Sequence, residues 1–597
     1  MSSTTTTTCT SSRCLLLLPL LVALTQPTSC HGVMVRSENS GGLATGLTYN
    51  PEDDQVVIVG TTFEQDFWGM GLPSENGECF VALGDITHEN PDFLRTAIPT
   101  PAVCFGGTSI IPHSVDGGIS VASILGMTLQ GEDIGFIHTI LYYMGQMAVS
   151  SNPAFLLPNE LLPVTSTREW GNSTALFVGL HPIDSGITPF GFTSEKDNIS
   201  RLKSLLEYWW HSTLPSQEEL VVPEPFEYAR GAPHVRKQDV FTGELFFDVS
   251  LDLPLQSSAL IATVLHPGSP SCTEKQPILV IGSTNAPDVA KSLFGQNSNP
   301  KLQDQIDWDG YILFLDPDTG AVFRDPIVGN ETDTRRPAIR INSIGDGDDY
   351  LQGACVSPDQ RYLYVVGTTQ GIIQGIHKGG AFVIQYDIAT WEMQWQYQKT
   401  GIKTEGLGCA TDHDAVYITG STESDFKSSS PLDASPTPDA FVTKITHAGQ
   451  ELWTETLDTT LAQKGDLRRE VIVGIQVTAT GRVLVLMNSM NLDAGANDVF
   501  LLDLDPSTGR SNLDEALENP SRFSTFGTKA NGQGKDNTVL LVATLIPIFV
   551  AICLFVLPVW RQRNRVERYP TEMHKGYSDH EVEEALSHLE KTGASVV

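Results

Sequence analysis

The run GDGDDY offers Asp346, Asp348 and Asp349, carboxylates placed so that more than one could reach the same ion. Alternating carboxylates are hard oxygen donors of the kind that ligate calcium. The run lacks a complete EF-hand pattern, and turns concentrate aspartate without any metal, so both readings stand. Asp307 in DWDG offers less. There is no HExxH, no G-x-S-x-G elbow and no P-loop, and the histidines fall at no usable spacing. No catalytic residue is assigned, and no cofactor is expected unless calcium binds the acidic run. Aromatic residues give the other candidate chemistry. Adjacent Trp209 and Trp210 suit anchoring of a partner, since exposed tryptophan is a favoured interface residue.

The compartment follows from the ends of the chain. Residues 1–30 read as a secretory signal, in which Arg13 precedes the apolar run CLLLLPLLVAL and small or polar residues follow. Cleavage falls after Cys30 or after Thr25. From Thr538 to Trp560 the sequence carries no charged residue, enough to cross a hydrocarbon core of about 30 Å as a helix. Arg561, Arg563, Arg565 and Arg568 follow directly, which places residues 561–597 on the cytoplasmic side. The expected layout is single-pass type I in the plasma membrane or an endomembrane. Its ectodomain spans 31–527, a linker 528–537 and the membrane helix 538–560.

Composition agrees with this layout. A formal net charge of -34 repels phosphate backbones, which argues against a nucleic-acid partner. Sequons at Asn172, Asn198 and Asn330 become glycan acceptors behind a signal peptide. An oxidising compartment favours disulfides. Cys79 and Cys104, close in sequence, form the expected pair. Cys355 and Cys409 lie in apolar strand-like contexts and read as buried thiols. In the tail, YSDHEVEEALSHLEKTG can form a short amphipathic helix, and the final SVV has the serine and terminal valine of an adaptor-domain ligand.

The elements that must position these groups are repeated. AVYITGSTES at Ala415, QVVIVGTTFE at Gln55, YLYVVGTTQG at Tyr362 and PILVIGSTNA at Pro277 are apolar strands ending in Gly and then Ser or Thr. Fainter copies begin at Ala122, Ala175 and Arg482. Each is followed by a second phrase, clearest in DGYILFLDPDTG, GAFVIQYDIATWEMQW, DAFVTKITHAGQELW and NDVFLLDLDPSTG, with weaker copies at Cys79, Ile134 and Gly243. A strand opening with Gly precedes several of them. One unit is thus a four-stranded antiparallel meander. A single meander cannot bury both faces, and radial packing of several solves this, so the expected fold is all-β, a β-propeller of about seven four-stranded blades plus one transmembrane helix. In this reading Gly permits an unusual backbone conformation, the adjacent hydroxyl fixes a turn, and Trp395 and Trp453 cover seams between blades.

SIGDGDDYLQGACVSPDQRYLYVVGTT with GGAFVIQYD, and GLGCATDHDAVYITGSTESDF with DAFVTKITHAGQELW, closely resemble the SBBP-type β-propeller repeat. The resemblance is good over two units, fair over three and poor over Thr108 to Pro254. It implies a propeller on a secreted or cell-surface protein and carries no catalytic residues. LDPDTGAVF and LDPSTGRS also resemble quinoprotein blades, although the same letters make good hairpin turns.

The largest departure from the repeat is a helical insertion near 194–238. Ile199, Leu202, Leu206 and Trp209 share one helix face, and a Pro-rich loop follows. The expected function is recognition, adhesion or sorting, with the ectodomain binding an extracellular or luminal protein or glycan. The alternative is a membrane-tethered propeller enzyme, a hydrolase or a quinone-dependent oxidoreductase.

Overall fold

The computed structural model describes residues 33–40, 42–50, 54–62, 78–86, 93–111, 120–128, 135–143, 146–149, 155–156, 162–168, 174–182, 231–239, 245–250, 259–265, 277–284, 308–322, 338–344, 347–375, 379–426, 434–459, 468–491, 497–511, 513, 524–525 and 595–596. These residues form small antiparallel sheets, an all-β arrangement consistent with a propeller-like fold. Among them no helix is long and apolar enough to cross a membrane. The signal, the membrane segment 538–560 and most of the tail lie outside the described residues, as do the three sequons, Trp209 and Trp210.

The strands run in meanders. The first comprises Gly42–Asn50, Gln55–Thr62, Glu78–Asp85 and the first part of Phe93–Ile111. The rest of that long strand opens the second, with Ser120–Thr128, Gly135–Tyr143 and Gln146–Val149. The third is Leu162–Arg168, Thr174–Pro182, Gly231–Asp239 and Leu245–Ser250. Next come Ala259–Leu265, Ile278–Thr284, Asp309–Leu315 and Ala338–Ile341 as the fourth. The fifth is Asp349–Val356, Tyr362–Thr369, Gly380–Asp387 and Met393–Lys399. The sixth is Glu405–Thr411, Ala415–Ser424, Ala434–Thr446 and Glu451–Leu457. In the seventh, Arg468–Val477, Val483–Asn491 and Asn497–Leu504 are completed by Val33–Ser40 from the other end of the chain, antiparallel to Asn497–Leu504. First strands neighbour one another in cyclic order, and the seventh returns to the first. Two residue pairs from Ser595–Val596 also add to Gln146–Val149.

Two expectations change here. Gly231–Asp239, read from the sequence as part of the insertion, is a third strand, and Val235 is fully buried in it. The LFF run after Gly243, read as a third-strand copy, is the outer strand Leu245–Ser250, whose Leu245 and Phe246 are exposed. Apolar letters suit either position, and only the pairing order separates them.

The core sits between meanders. Leu279, Ile281, Ile312 and Phe314 of the fourth pack on Leu351, Leu363 and Val365 of the fifth. Tyr417, Val442 and Leu457 meet Ile472, Val485 and Phe500 across the sixth-to-seventh seam. Leu484, Leu486 and Leu501 meet Ala44, Ile58 and Phe80 where the ring closes. Ile278–Thr284 and Asp309–Leu315 are buried along their whole length. Burial on both faces explains why these strands read as apolar runs rather than alternating ones.

The recurring Gly-Ser/Thr pair has a specific task. In every meander the pairing of first and second strands slips at a bulge, for example between Leu351 and Gly353 and between Gly406 and Gly408. A bulge interrupts the ladder and leaves backbone groups to be satisfied otherwise. The amide of Leu351 donates to Ser283 Oγ of the preceding meander at 2.8 Å, and that of Gly406 donates to Thr368 Oγ1 at 3.1 Å. Asn488 does the same for Ala44 at 3.0 Å. The hydroxyl therefore bonds across a seam rather than fixing a turn. The glycine beside it is required by space: a Cβ on Gly420 would lie 1.9 Å from the Glu405 carbonyl oxygen.

Candidate functional site

The two ends of the ring carry different chemistry. One end holds the first-to-second and third-to-fourth turns. The other holds the second-to-third connections and the passage from each fourth strand to the next first strand.

At the turn end, side chains of one meander seat the turn of the next. Trp395 Nε1 donates to the His447 carbonyl at 2.8 Å, and Trp453 Nε1 to the Pro506 carbonyl at 3.2 Å. Lys444 Nζ reaches the same Pro506 oxygen at 2.9 Å, and Lys237 Nζ reaches Pro317 O at 2.9 Å. Gly449 and Gly509 adopt positive φ directly against the Trp395 and Trp453 rings, where a side chain would collide. The tryptophans do cover seams, as the sequence implied. Asp316 Oδ1 accepts the amides of Asp318 and Thr319, and Asp505 Oδ1 accepts that of Ser507. LDPDTG and LDPSTG are thus aspartate-capped hairpin turns. Tyr364 Oη, which accepts a bond from Gln385 Nε2 at 2.6 Å, lies 2.5 Å from His447 Nδ1. Burial pushes this phenol far above its ordinary value, so it acts as a structural hydroxyl at neutral pH.

A disulfide joins Cys355 to Cys409, first-strand residues of the fifth and sixth meanders, with Cα atoms 5.8 Å apart. The reading of these two as free thiols is corrected: each looked like a core residue alone, and the ring brings them side by side. Cys79 is also disulfide-bonded. The side chain of Cys104, its expected partner, lies outside the described residues.

Among the described residues, the opposite end carries buried and half-buried carboxylates. Asp348 Oδ1 accepts the Trp308 amide at 3.0 Å and its Oδ2 accepts Tyr350 Oη at 3.1 Å. Asp349 Oδ2 accepts the Ser343 amide at 2.6 Å. These two aspartates bind the fourth meander to the fifth, and Asp346 lies outside the described residues. Burial raises Asp349 to about 6 against hydrogen bonds that lower it. Burial likewise raises Glu405 to about 7, opposed by Arg469.

One cluster was not singled out in the sequence. Asp439, Asp458 and Glu470 bring carboxylate oxygens within 4.8 Å of one another, where the sixth meander passes to the seventh. Among the described residues no other three ligand-bearing groups meet in this way. Asp439 and Glu470 are buried and Asp458 is half-buried. Glu470 Oε1 accepts from the Thr459 amide at 3.3 Å, the Thr459 hydroxyl and Ser489 Oγ at 3.2 Å. Burial, reinforced by Asp439 and Asp458, lifts Glu470 to about 8. Beside it Arg468 and Asp498 form a buried ion pair at 3.0 Å. Asp439 is the first letter of the DAFV phrase, so its repeat role masked it. Asp458 and Glu470 flank a connection, and nothing in their spacing shows that they converge.

No protein-family model matches the sequence, and no curated protein matches it. Among solved structures, Sqt1 of Saccharomyces cerevisiae is similar at 10% identity and a TM-score of 0.35, covering 80% of this chain and 99% of that one. A likeness that distant carries no argument about function.

Proposed function

We propose that this chain is a membrane-anchored, SBBP-type propeller of seven four-stranded blades that recognises an extracellular or luminal protein or glycan. The observation that carries the reading is the cyclic neighbouring of first strands, with the seventh meander completed by Val33–Ser40. Removal of a signal after Cys30 or Thr25 leaves that strand intact. The seams take up the strand side chains, so recognition falls to loops. Residues 183–230, which include Trp209 and Trp210, lie in sequence between Thr174–Pro182 and Gly231–Asp239, the second and third strands of the third meander. The Cys355–Cys409 disulfide suits an oxidising compartment. The pairing of Ser595–Val596 with Gln146–Val149 and a membrane crossing at 538–560 exclude each other in one chain. The proposal takes the crossing, because the uncharged run from Thr538 to Trp560 is long enough to span the bilayer.

The test has two parts. Protease treatment of intact vesicles should remove the tail and leave a glycosylated ectodomain, shifted by endoglycosidase and lost shift by shift in Asn172→Gln, Asn198→Gln and Asn330→Gln. Screening the purified chain against glycans and surface proteins should give a ligand that Trp209→Ala or Trp210→Ala weakens without changing the melting temperature. Survival of the tail with digestion of the ectodomain would overturn the orientation. Normal binding in both tryptophan variants would remove the 183–230 segment from the binding role. The alternative, a membrane-tethered hydrolase or quinone-dependent oxidoreductase, calls for an accessible cluster of His and carboxylates, and in the acidic trio Glu470 is wholly buried.

A further inference from the structure

We propose that Asp439, Asp458 and Glu470 form a site for one hard divalent cation, calcium first, clamping the sixth meander to the seventh. Three observations carry it. The donors are all carboxylate oxygens, the ligands that calcium prefers. Their mutual spacing, within 4.8 Å, fits oxygens placed around one ion, since ligands on opposite sides of calcium lie about 4.6–5.2 Å apart. Glu470 Oε2 is fully buried and has no hydrogen-bond partner, while Oε1 is engaged by Thr459 and Ser489. A buried carboxylate oxygen with no donor is costly, and an ion supplies what the protein does not. Arg468, beside the trio, bonds to Asp498 and Ser489. Half-buried Asp458 gives the route of entry. Each carboxylate offers one oxygen to the shared space, and water completes the shell. Magnesium needs a tighter octahedron and serves as the comparison.

The experiment uses the purified full chain, stripped with EGTA. Equilibrium dialysis with calcium counts bound ions, and thermal melts are taken in EGTA, calcium and magnesium. The wild type should bind an ion and melt at a higher temperature in calcium than in EGTA, with a smaller response to magnesium. Glu470→Gln keeps the side chain's shape and an acceptor for Thr459, so it should melt like the stripped wild type. It should bind at this site at least about tenfold more weakly, because a charged ligand is lost. If Glu470→Gln does not fold, Asp458→Asn, at the half-buried position, makes the same comparison. A wild type that binds no calcium and melts identically in EGTA and calcium overturns the proposal. Unchanged stoichiometry and affinity in the folded variant overturns it too, by placing the ion elsewhere, for instance at Asp346–Asp349.

Discussion

Asn488 joins the two ends of the ring, and removing it should loosen the closure more than removing any single-bond seam contact. Its Oδ1 accepts the Ala44 amide at 3.0 Å and its Nδ2 donates to the Ala44 carbonyl at 2.9 Å, between residues 444 positions apart. Both residues are fully buried. Asn488→Ala deletes both bonds and leaves an amide and a carbonyl with no water to replace them. At about 1 kcal/mol net per bond, plus the desolvation of the groups left behind, the expected loss is about 3 kcal/mol. Thr368→Val is the matched comparison, because it removes only the acceptor of the Gly406 amide and keeps the shape, and should cost about 1–2 kcal/mol. Urea unfolding followed by tryptophan fluorescence measures both. In a thermal scan, about 2.1 cal/mol/K per residue over a unit of roughly 500 residues gives about 1 kcal/mol/K, so Asn488→Ala should lower Tm by about 3 °C. An Asn488→Ala chain within about 0.5 kcal/mol of wild type would refute the closure, since a surface position behaves that way.

Other seams make separate predictions. The Cys355–Cys409 bridge closes a loop across a sequence separation of 54, and replacing both cysteines with Ala should cost about 4 kcal/mol on the chain-entropy model; non-reducing peptide mapping should recover the linked pair, and finding both as free thiols would remove it. Trp453→Ala should cost about 2–3 kcal/mol, less than for a fully buried tryptophan because Lys444 still serves the Pro506 carbonyl. Glu405 is raised in the fold to about 7, chiefly by burial, with Glu423 adding to the rise and Arg469 and Lys403 opposing it. The folded state then holds this proton more tightly than the unfolded state, so stability should fall between about pH 4.5 and 7 and level off above, by on the order of 3 kcal/mol. Glu405→Gln should remove that part of the slope in unfolding curves taken across this range, and an unchanged slope would show that Glu405 does not titrate this way.

The sequence by itself determined the repeating unit and its chemistry. Apolar runs ending in Gly-Ser or Gly-Thr, paired with the DAFV-like phrase, are legible because strand burial and hairpin turns act within a few residues. Trp395 and Trp453 could be placed at seams for the same reason, since their position in the unit is fixed locally. What lay beyond it was everything made between units. Val33–Ser40 fills the seventh meander, although nothing in VMVRSENS marks a partner at Asn497–Leu504. Cys355 pairs with Cys409 because neighbouring first strands run side by side, not because of any cysteine spacing. Glycine 420 is glycine because a carbonyl from the preceding strand leaves no room, and the hydroxyls of Ser283 and Thr368 answer amides opened by bulges in the next meander. Asp439, Asp458 and Glu470 converge for the same physical reason. A ring places the end of one unit against the start of the next, and side chains with no local relation then share one buried space.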